Sequence, residues 1–342
     1  MDEKKRVLVA LSGGVDSSAA AILLQKAGYS CDGAMLQLCG NENISDAKAV
    51  ASRLNMSFYV FSEQNHFQEQ VVAPFVSAYC MGRTPNPCIF CNKSLKFGTF
   101  LDRALAMGYA YIATGHYARI DCVDGVFRLL RAADRKKDQT YFLYQLTQNQ
   151  LSHLLLPVGT YEKSEIRALA KEENFSSADR ADSQDICFIP DGDYVRFLEN
   201  SGVELTPGDF IDETGAVLGR HRGLPCYTIG QGKGLGIALG RHVYVLAKDA
   251  KVNTVTLGDD AALYRHSLTA SGVNWIAGVP PMAVFRCIAK TRYSQTESPC
   301  TVTPLGDDRM RVDFDEAQRA ITPGQAVVLY DGDVVLGGGT IE

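Results

Sequence analysis

Ala10-Leu11-Ser12-Gly13-Gly14-Val15-Asp16-Ser17-Ser18 is the stretch whose reading decides the fold. Ahead of it, residues 6–11 form a short apolar, β-branched run bounded by charge, the pattern of a buried parallel strand. Behind it, residues 19–27 read as a helix that Gly28 stops. A strand, a glycine turn and a helix N-terminus bearing Asp16, Ser17 and Ser18 make an anion site. Unpaired backbone N–H groups and the positive end of the helix dipole converge there. Gly13 and Gly14 let a phosphate approach the backbone. No Lys closes the string, so it is not the Walker A pattern.

Working outward, residues 31–38, 57–61 and 110–114 read as further strands, and 45–54, 66–79 and 93–107 as helices. Alternating βα units predict a doubly wound parallel sheet that binds its ligand at the carboxyl ends of the strands. The opening loop, Leu36 and Gly115 all lie at such ends. Between Gly82 and Lys93 the pattern breaks, because Pro85 and Pro87 fix φ in a loop of set shape. That loop holds Asn86, Cys88 and Cys91. Asn92 is expected to cap the next helix, whose dipole would give Cys91 thiolate character. A hairpin follows at 117–131, turning at Val123-Asp124-Gly125, then a helix over 163–173 and a last one over 193–200.

From about Pro207 the texture is all-β. Residues 210–218 are a hairpin signal, and the glycines of 227–240 do not fit a dinucleotide fingerprint. Past residue 265 short strands recur, with turns at Asp307-Asp308, Thr322-Pro323-Gly324 and Asp331-Gly332-Asp333, as in a small barrel. The expected division is 1–202 for the α/β catalytic domain, 203–264 for a small central β-rich domain and 265–342 for a C-terminal β-barrel.

The 342 residues suit two or three domains, and 46% hydrophobic with 21% charged residues describe a soluble globular chain. No apolar run approaches the ~20 residues of a membrane span. Met1-Asp2-Glu3-Lys4-Lys5-Arg6 leads straight into a strand with no signal peptide in view, so a cytoplasmic location is expected. Ten Cys in such a compartment argue for thiol or metal chemistry over a disulfide framework, and only Cys88-Ile89-Phe90-Cys91 has a suggestive spacing. A net charge of −5 argues against general attraction to nucleic acid and leaves local basic groups as the candidate footprint. These are Arg128, Arg131, Arg135-Lys136-Lys137, Lys163, Arg167, Lys171, Arg220-His221-Arg222, Lys290 and Arg292.

The Ser-Gly-Gly-Val-Asp-Ser string resembles the pyrophosphate loop of the N-type (PP-loop) ATP pyrophosphatases. Several further strings occur in order along the chain. They are Arg83-Thr84-Pro85-Asn86-Pro87 with Cys91-Asn92-Lys93, Thr114-Gly115-His116-Tyr117-Ala118-Arg119, Lys137-Asp138-Gln139-Thr140-Tyr141-Phe142-Leu143, Ile186-Cys187-Phe188-Ile189, Gly230-Gln231-Gly232-Lys233-Gly234-Leu235-Gly236, Ala289-Lys290-Thr291-Arg292-Tyr293 and Thr322-Pro323-Gly324-Gln325. Together they resemble the tRNA-specific 2-thiouridylase family over nearly the whole chain. That resemblance implies ATP-dependent sulfur transfer to C2 of a tRNA wobble uridine through an adenylated intermediate, giving 2-thiouridine, AMP and pyrophosphate. It implies Cys91 as nucleophile and Cys187 as persulfide carrier, closing a transient disulfide. It carries ATP contacts onto Ala10, Leu11, Ser12, Gly13, Gly14, Val15, Asp16, Ser17, Leu36 and Gly115, with Mg²⁺ near Asp16. It carries tRNA contacts onto Asn86, Pro87, Cys88, His116, Lys137, Asp138, Gln139, Arg292, Tyr293 and Gln325. The partners it implies are tRNA and a sulfur donor protein, a cysteine desulfurase or a sulfur carrier, with neither membrane nor DNA.

One departure stands out. Cys88 occupies a position where an Asp can stand in the family, so an acid–base residue there is in doubt. It also opens the alternative that Cys88, Cys91 and Cys187 ligate an iron–sulfur cluster or another metal. Two other readings remain. One is a different PP-loop chemistry, such as nucleotide amidation or amino-acid ligation, which leaves both cysteines idle. The other is a metal-binding module without ATP turnover.

Overall fold

The computed structural model describes residues 5–40, 42–173, 175, 186–306 and 308–342. Its first seven strands are β1 (Arg6–Ala10), β2 (Ser30–Gln37), β3 (Phe58–Ser62), β4 (Tyr111–Ala113), the hairpin β5 (Ala118–Val123) and β6 (Val126–Arg131), and β7 (Leu154–Leu155). Five of them pair in parallel in the order β3-β2-β1-β4-β7. Val7, Leu8 and Val9 are wholly buried, as a strand covered on both faces requires. Alternate side chains serve opposite layers: Leu8 packs with Phe97, Phe100 and Leu101, and Val7 and Val9 with Ile22, Leu24 and Val50. Because β1 lies at the middle of this order, its carboxyl end opens at the centre of the sheet, between β2 and β4.

The helix Val15–Lys26 follows β1 directly. The proline-rich loop departs from expectation: helix starts at Pro87, not after Asn92. Proline suits a first turn, where its missing N–H is not needed, and the Asn86 side chain caps it by accepting from the Cys88 amide at 3.1 Å. Helix Pro87–Cys91 then runs without a break through a π-helical stretch, Asn92–Thr99, into helix Phe100–Ala106. Asn92 is therefore not a cap. Its side chain is buried and donates to the Phe142 carbonyl at 3.1 Å.

The central sheet has β8 (Gly208–Ile211), β9 (Val217–His221), β10 (Tyr244–Asp249) and β11 (Thr254–Gly258), in the order β10-β11-β8-β9. The chain then forms β12 (Tyr264–Trp275), β13 (Phe285–Lys290), β14 (Ser298–Gly306), β15 (Arg309–Arg319), β16 (Ala326–Asp331) and β17 (Val334–Ile341). These pair in that sheet as β12-β15-β14-β13-β16-β17, and β17 returns to β12, closing a barrel. The β5–β6 hairpin joins the same sheet through Leu130 opposite Val334. Asp307, half of one expected turn, and Asp182 to Asp185 lie outside the described residues.

Two joints tie the barrel to its neighbours, the first to the cysteine loop and the second to the central domain. The Thr84 amide donates to the Pro323 carbonyl at 2.9 Å, and Gln325 Nε2 donates to the Thr84 carbonyl at 2.8 Å. Gly324, at φ +91, is needed because a Cβ there would sit 2.9 Å from the Thr84 nitrogen. At the second joint, Arg292 donates to the Ile229 and Ala320 carbonyls, both at 3.0 Å, and to the Thr322 hydroxyl. Its guanidinium thus pins the Gly-rich loop of the central domain to the barrel. Arg292→Met should remove all three bonds, including the one to the Ile229 carbonyl, and lower unfolding stability by about 2–4 kcal/mol. A thermal melt reads this as a clear fall in Tm, and an unchanged Tm would remove the joint assigned to Arg292.

Candidate active site

The loop after β1 is shaped by its own serines. The Ser12 amide donates to Ser17 Oγ at 3.2 Å, and the Ser17 and Ser18 hydroxyls donate to the Gly14 carbonyl at 3.1 and 2.9 Å. Gly13 has φ +77 and passes close to the start of helix Ile44–Arg53, where a Cβ would lie 2.7 Å from Asp46 Cβ. Across the sheet, a Cβ on Gly115 would lie 2.6 Å from the Asp16 carbonyl carbon and 2.7 Å from the Ser17 nitrogen. The ends of β1 and β4 therefore meet in one cradle of helix N-terminus and glycine backbone, which suits a polyphosphate. Leu36, near the end of β2, packs on the neighbouring core.

Asp16 departs from the role expected of it. Both of its carboxylate oxygens accept from Lys163 Nζ, at 2.7 and 2.8 Å, and Oδ1 also accepts from the Tyr117 hydroxyl at 2.8 Å. In this arrangement Lys163 and Tyr117 hold the Asp16 carboxylate at the edge of the cradle. Lys163 opens helix Lys163–Glu172 and is buried against the cradle. The sequence reading counted it only as one basic residue among several. The cation missing from the end of the Ser-Gly-Gly string thus arrives from far along the chain.

The second half of the site is sulfur. Cys91 is buried with Phe67, Val71, Val72 and Leu95, and Cys39 and Phe188 pack against that cluster. Loss of solvent pushes the Cys91 thiol up to about 11, against the pull of Lys96. The expected dipole-activated thiolate is therefore absent, because Cys91 ends the first helical segment instead of preceding it. Cys187 is exposed. Its neighbour Phe188 anchors this part of the chain by edge contacts to Phe67 and Phe75 and a tilted contact to Phe197, at 5.6, 5.3 and 5.1 Å between ring centroids. A hydrogen bond from the Cys39 thiol, with help from the Lys96 charge, brings Cys187 down to about 7. The same contact pushes Cys39 up.

Lys96 acts on Cys88, Cys91 and Cys187 together. It stands five residues after Cys91, and the i→i+5 bonding of the π-helical stretch places it a turn beyond that thiol. Neither Lys96 nor Cys39 carried a sequence signal beyond residue type. All ten cysteines are free thiols. Among the described residues no group of three His, Cys, Asp or Glu is arranged to hold a metal ion, so the ligand set Cys88, Cys91 and Cys187 is not assembled.

The candidate RNA contacts divide. Tyr293 is partly exposed, stacks at 4.5 Å on Phe142 and lines an open groove of about 680 Å³ with Arg135, Lys136 and Lys290. Asn86 and Pro87 start the cysteine helix, and Cys88 is exposed on its first turn. Lys137 follows Asp134, whose carbonyl accepts the Lys137 amide at 3.1 Å. Others are engaged internally. His116 Nδ1 lies 2.8 Å from Thr114 Oγ1, and burial with the nearby Lys96 charge brings its imidazole down to about 3. Asp138 is buried and accepts from the Ala132 amide and the Thr140 hydroxyl. Gln139 Oε1 accepts from the Tyr117 amide at 2.9 Å, and Arg292 and Gln325 are committed to the joints described above. Several candidate cations are paired: Arg128 with Asp121, Arg131 with Glu297, and Arg135 with Asp333.

Three family models match the chain. They are described as a tRNA methyl transferase HUP domain over residues 5–191, a tRNA methyl transferase PRC-barrel domain over 196–259 and an aminomethyltransferase β-barrel domain over 265–341. Among curated proteins, a tRNA-specific 2-thiouridylase MnmA of Symbiobacterium thermophilum is 48% identical, covering 99% of this chain and 92% of its own length. The proteins of that name from Carboxydothermus hydrogenoformans and Acetivibrio thermocellus are each 46% identical over 99% of this chain, and 98% and 99% of theirs. With identity of 46–48% over 99% of the chain, the chain belongs to the tRNA-specific 2-thiouridylase (MnmA) family.

Proposed function

We propose that this chain carries out ATP-dependent sulfur transfer to the wobble uridine of tRNA by adenylating the C2 oxygen and displacing AMP with sulfur from Cys187. The observation that carries the reading is the gathering of Cys91 and Cys187 around Lys96, on the same α/β domain as the serine-glycine cradle. The uridine C2 carbonyl is a poor electrophile with no leaving group. Attack of its oxygen on the α-phosphorus breaks the bond to the β-phosphate, and pyrophosphate departs into the loop from Ser12 to Ser18. The backbone N–H groups at the start of helix Val15–Lys26 supply positive potential where negative charge accumulates. A bound Mg²⁺ would add Lewis-acid shielding of the phosphates.

Cys187, low enough to ionise near neutrality, takes up sulfur as a persulfide. Its terminal sulfur attacks C2. Cys91 then attacks the Cys187 sulfur, the old S–S bond breaks, and the sulfur stays on C2 as AMP leaves with the oxygen. A Cys91–Cys187 disulfide remains, and a thiol reductant restores both cysteines. Cys91 must lose its proton for that step, so the thiolate forms only as substrate binding changes its buried surroundings. The base reaches the site unstacked, as enzymes acting on a base require. Asn86, Pro87 and Cys88 line its approach, and Tyr293 with Lys137 and its basic neighbours meets the RNA backbone. The sulfur arrives from a donor protein, a desulfurase or a carrier.

Mass spectrometry of tRNA nucleosides after incubation with ATP, Mg²⁺ and a sulfur donor should show 2-thiouridine with the wild type and none with Cys91→Ser or Cys187→Ser. Undiminished product from both variants would refute the mechanism. Gly115→Ala forces the cradle apart, so tRNA-dependent ATP–pyrophosphate exchange should fall ~100-fold while the fold persists. Exchange at the wild-type rate would detach Gly115 from the nucleotide site. In the free protein, Cys187 is charged above about 7 and neutral below it. Its alkylation rate should therefore drop ~10-fold per unit as pH falls below that midpoint. Lys96→Met removes the stabilising charge, so the midpoint should move up; a fixed midpoint would assign the effect to Cys39 alone.

A further inference from the structure

The barrel holds a pair of thiols that the proposed sulfur transfer does not use. Strands β13 and β14 run antiparallel with Cys287 directly opposite Cys300, and their Sγ atoms lie 3.6 Å apart in a sulfur–sulfur hydrogen bond. Directly opposed residues share a face of the sheet, and both side chains pack in one apolar cluster with Val302 and Leu329. The next pair along the strands is tied as well. Arg286 stands opposite Thr301, donates to its hydroxyl at 3.2 Å, and grips the Asp315 carboxylate with two bonds of 2.6 Å. Cys300 is wholly buried and Cys287 half-buried, so Cys287 is the one a dissolved reagent reaches. The contact with Cys287, helped by the Arg286 charge, draws the Cys300 thiol below its ordinary value despite its burial. The chain between the two cysteines supplies Lys290, Tyr293 and Glu297 to the open groove.

We propose that Cys287 and Cys300 form a redox modification site, a dithiol that low-molecular-weight disulfides oxidise to a disulfide across β13 and β14. The Cys287 thiolate attacks one sulfur of the reagent, whose S–S bond breaks and releases one thiol. Cys300 then gives up its proton and attacks the Cys287 sulfur, and the second thiol leaves. The two cysteine sulfurs are oxidised, the reagent is reduced to two thiols, and both cysteine protons end on them. Positions directly opposite on paired strands already fall within the Cα separation that a disulfide spans, so the strands need not slide. The second step is intramolecular between sulfurs already in contact, so the internal bond wins over a lasting adduct on Cys287. Cys122, exposed and opposite Phe127 instead of a cysteine, stops at the adduct. Excess thiol reverses both steps. While it lasts, the bond fastens the base of the segment that lines the groove.

The test exposes the full, reduced chain, without ATP or tRNA, to rising oxidised glutathione at fixed reduced glutathione. Cysteine linkages are mapped by mass spectrometry. A Cys287–Cys300 disulfide is expected at oxidised-glutathione concentrations at least ~10-fold below those that half-modify Cys122. Cys300→Ser should leave glutathione on Cys287 with no internal bond, and Cys287→Ser should leave Cys300 unmodified. Matching circular dichroism spectra and melting curves establish that both variants are folded. In the wild type, a glutathione adduct that persists on Cys287 beside a free Cys300 overturns the proposal. So do two unmodified thiols at a concentration that fully modifies Cys122. The same disulfide is expected in the Cys91→Ser, Cys187→Ser protein, so this inference stands or falls separately from the sulfur-transfer reading.

Discussion

The short segment around Thr84 is clasped from both sides by the barrel: its amide donates to Pro323 and its carbonyl accepts from Gln325. Much else depends on this clasp, because the residues that follow are Pro85, Asn86 and the start of the cysteine helix. Fixing the backbone there sets where the helix begins, and Asn92, bonded to Phe142, fixes the side it presents. Between those two anchors lie Cys88 and Cys91. The barrel holds only the segment ahead of them, yet that hold bears on the position of both. A joint made from backbone groups is directional and tolerates little error, since unpaired N–H and C=O groups are costly when buried.

The α/β half was legible because its strands are continuous apolar runs and its loops are marked by glycine. Val7 to Val9 could be read as a strand buried on both faces, and the serine-glycine string as a turn into a helix. The hairpin at Phe210 and the barrel strands were equally legible from their spacing. Less visible was what depends on distant residues meeting. Pro87 read as a break, but a proline at the first position of a helix starts it. Asp16 read as a free acid at a helix start, but Lys163 and Tyr117 claim it. Cys39 was one of ten cysteines until the fold brought it to Cys187. Spacing in sequence encodes local geometry; which charge neutralises which, and which sulfur touches which, is set by tertiary packing.

Electrostatically, the site separates its two chemistries. Lys163 serves the phosphate cradle, where its charge is balanced by Asp16. Lys96 serves the sulfurs, and burial, with a smaller push from Lys96, keeps the His116 imidazole neutral. The two thiols of the proposed transfer sit on opposite sides of the ordinary cysteine range, one raised by burial and the other lowered by a donor and a cation. The proposed transfer calls for such a pair, one position that ionises to take up sulfur and another that stays protonated until substrate arrives.

The β5–β6 hairpin belongs by sequence to the catalytic half, yet its outer partner is the final strand, with Leu130 opposite Val334. During synthesis, that hairpin leaves the ribosome long before the strand that completes its sheet. Its open edge must wait unpaired until β17 emerges, a long-range closure of the kind that slows folding and exposes chains to wrong pairing. Barrel and catalytic half are thus tied in assembly, and a nascent chain cannot finish the first without finishing the last.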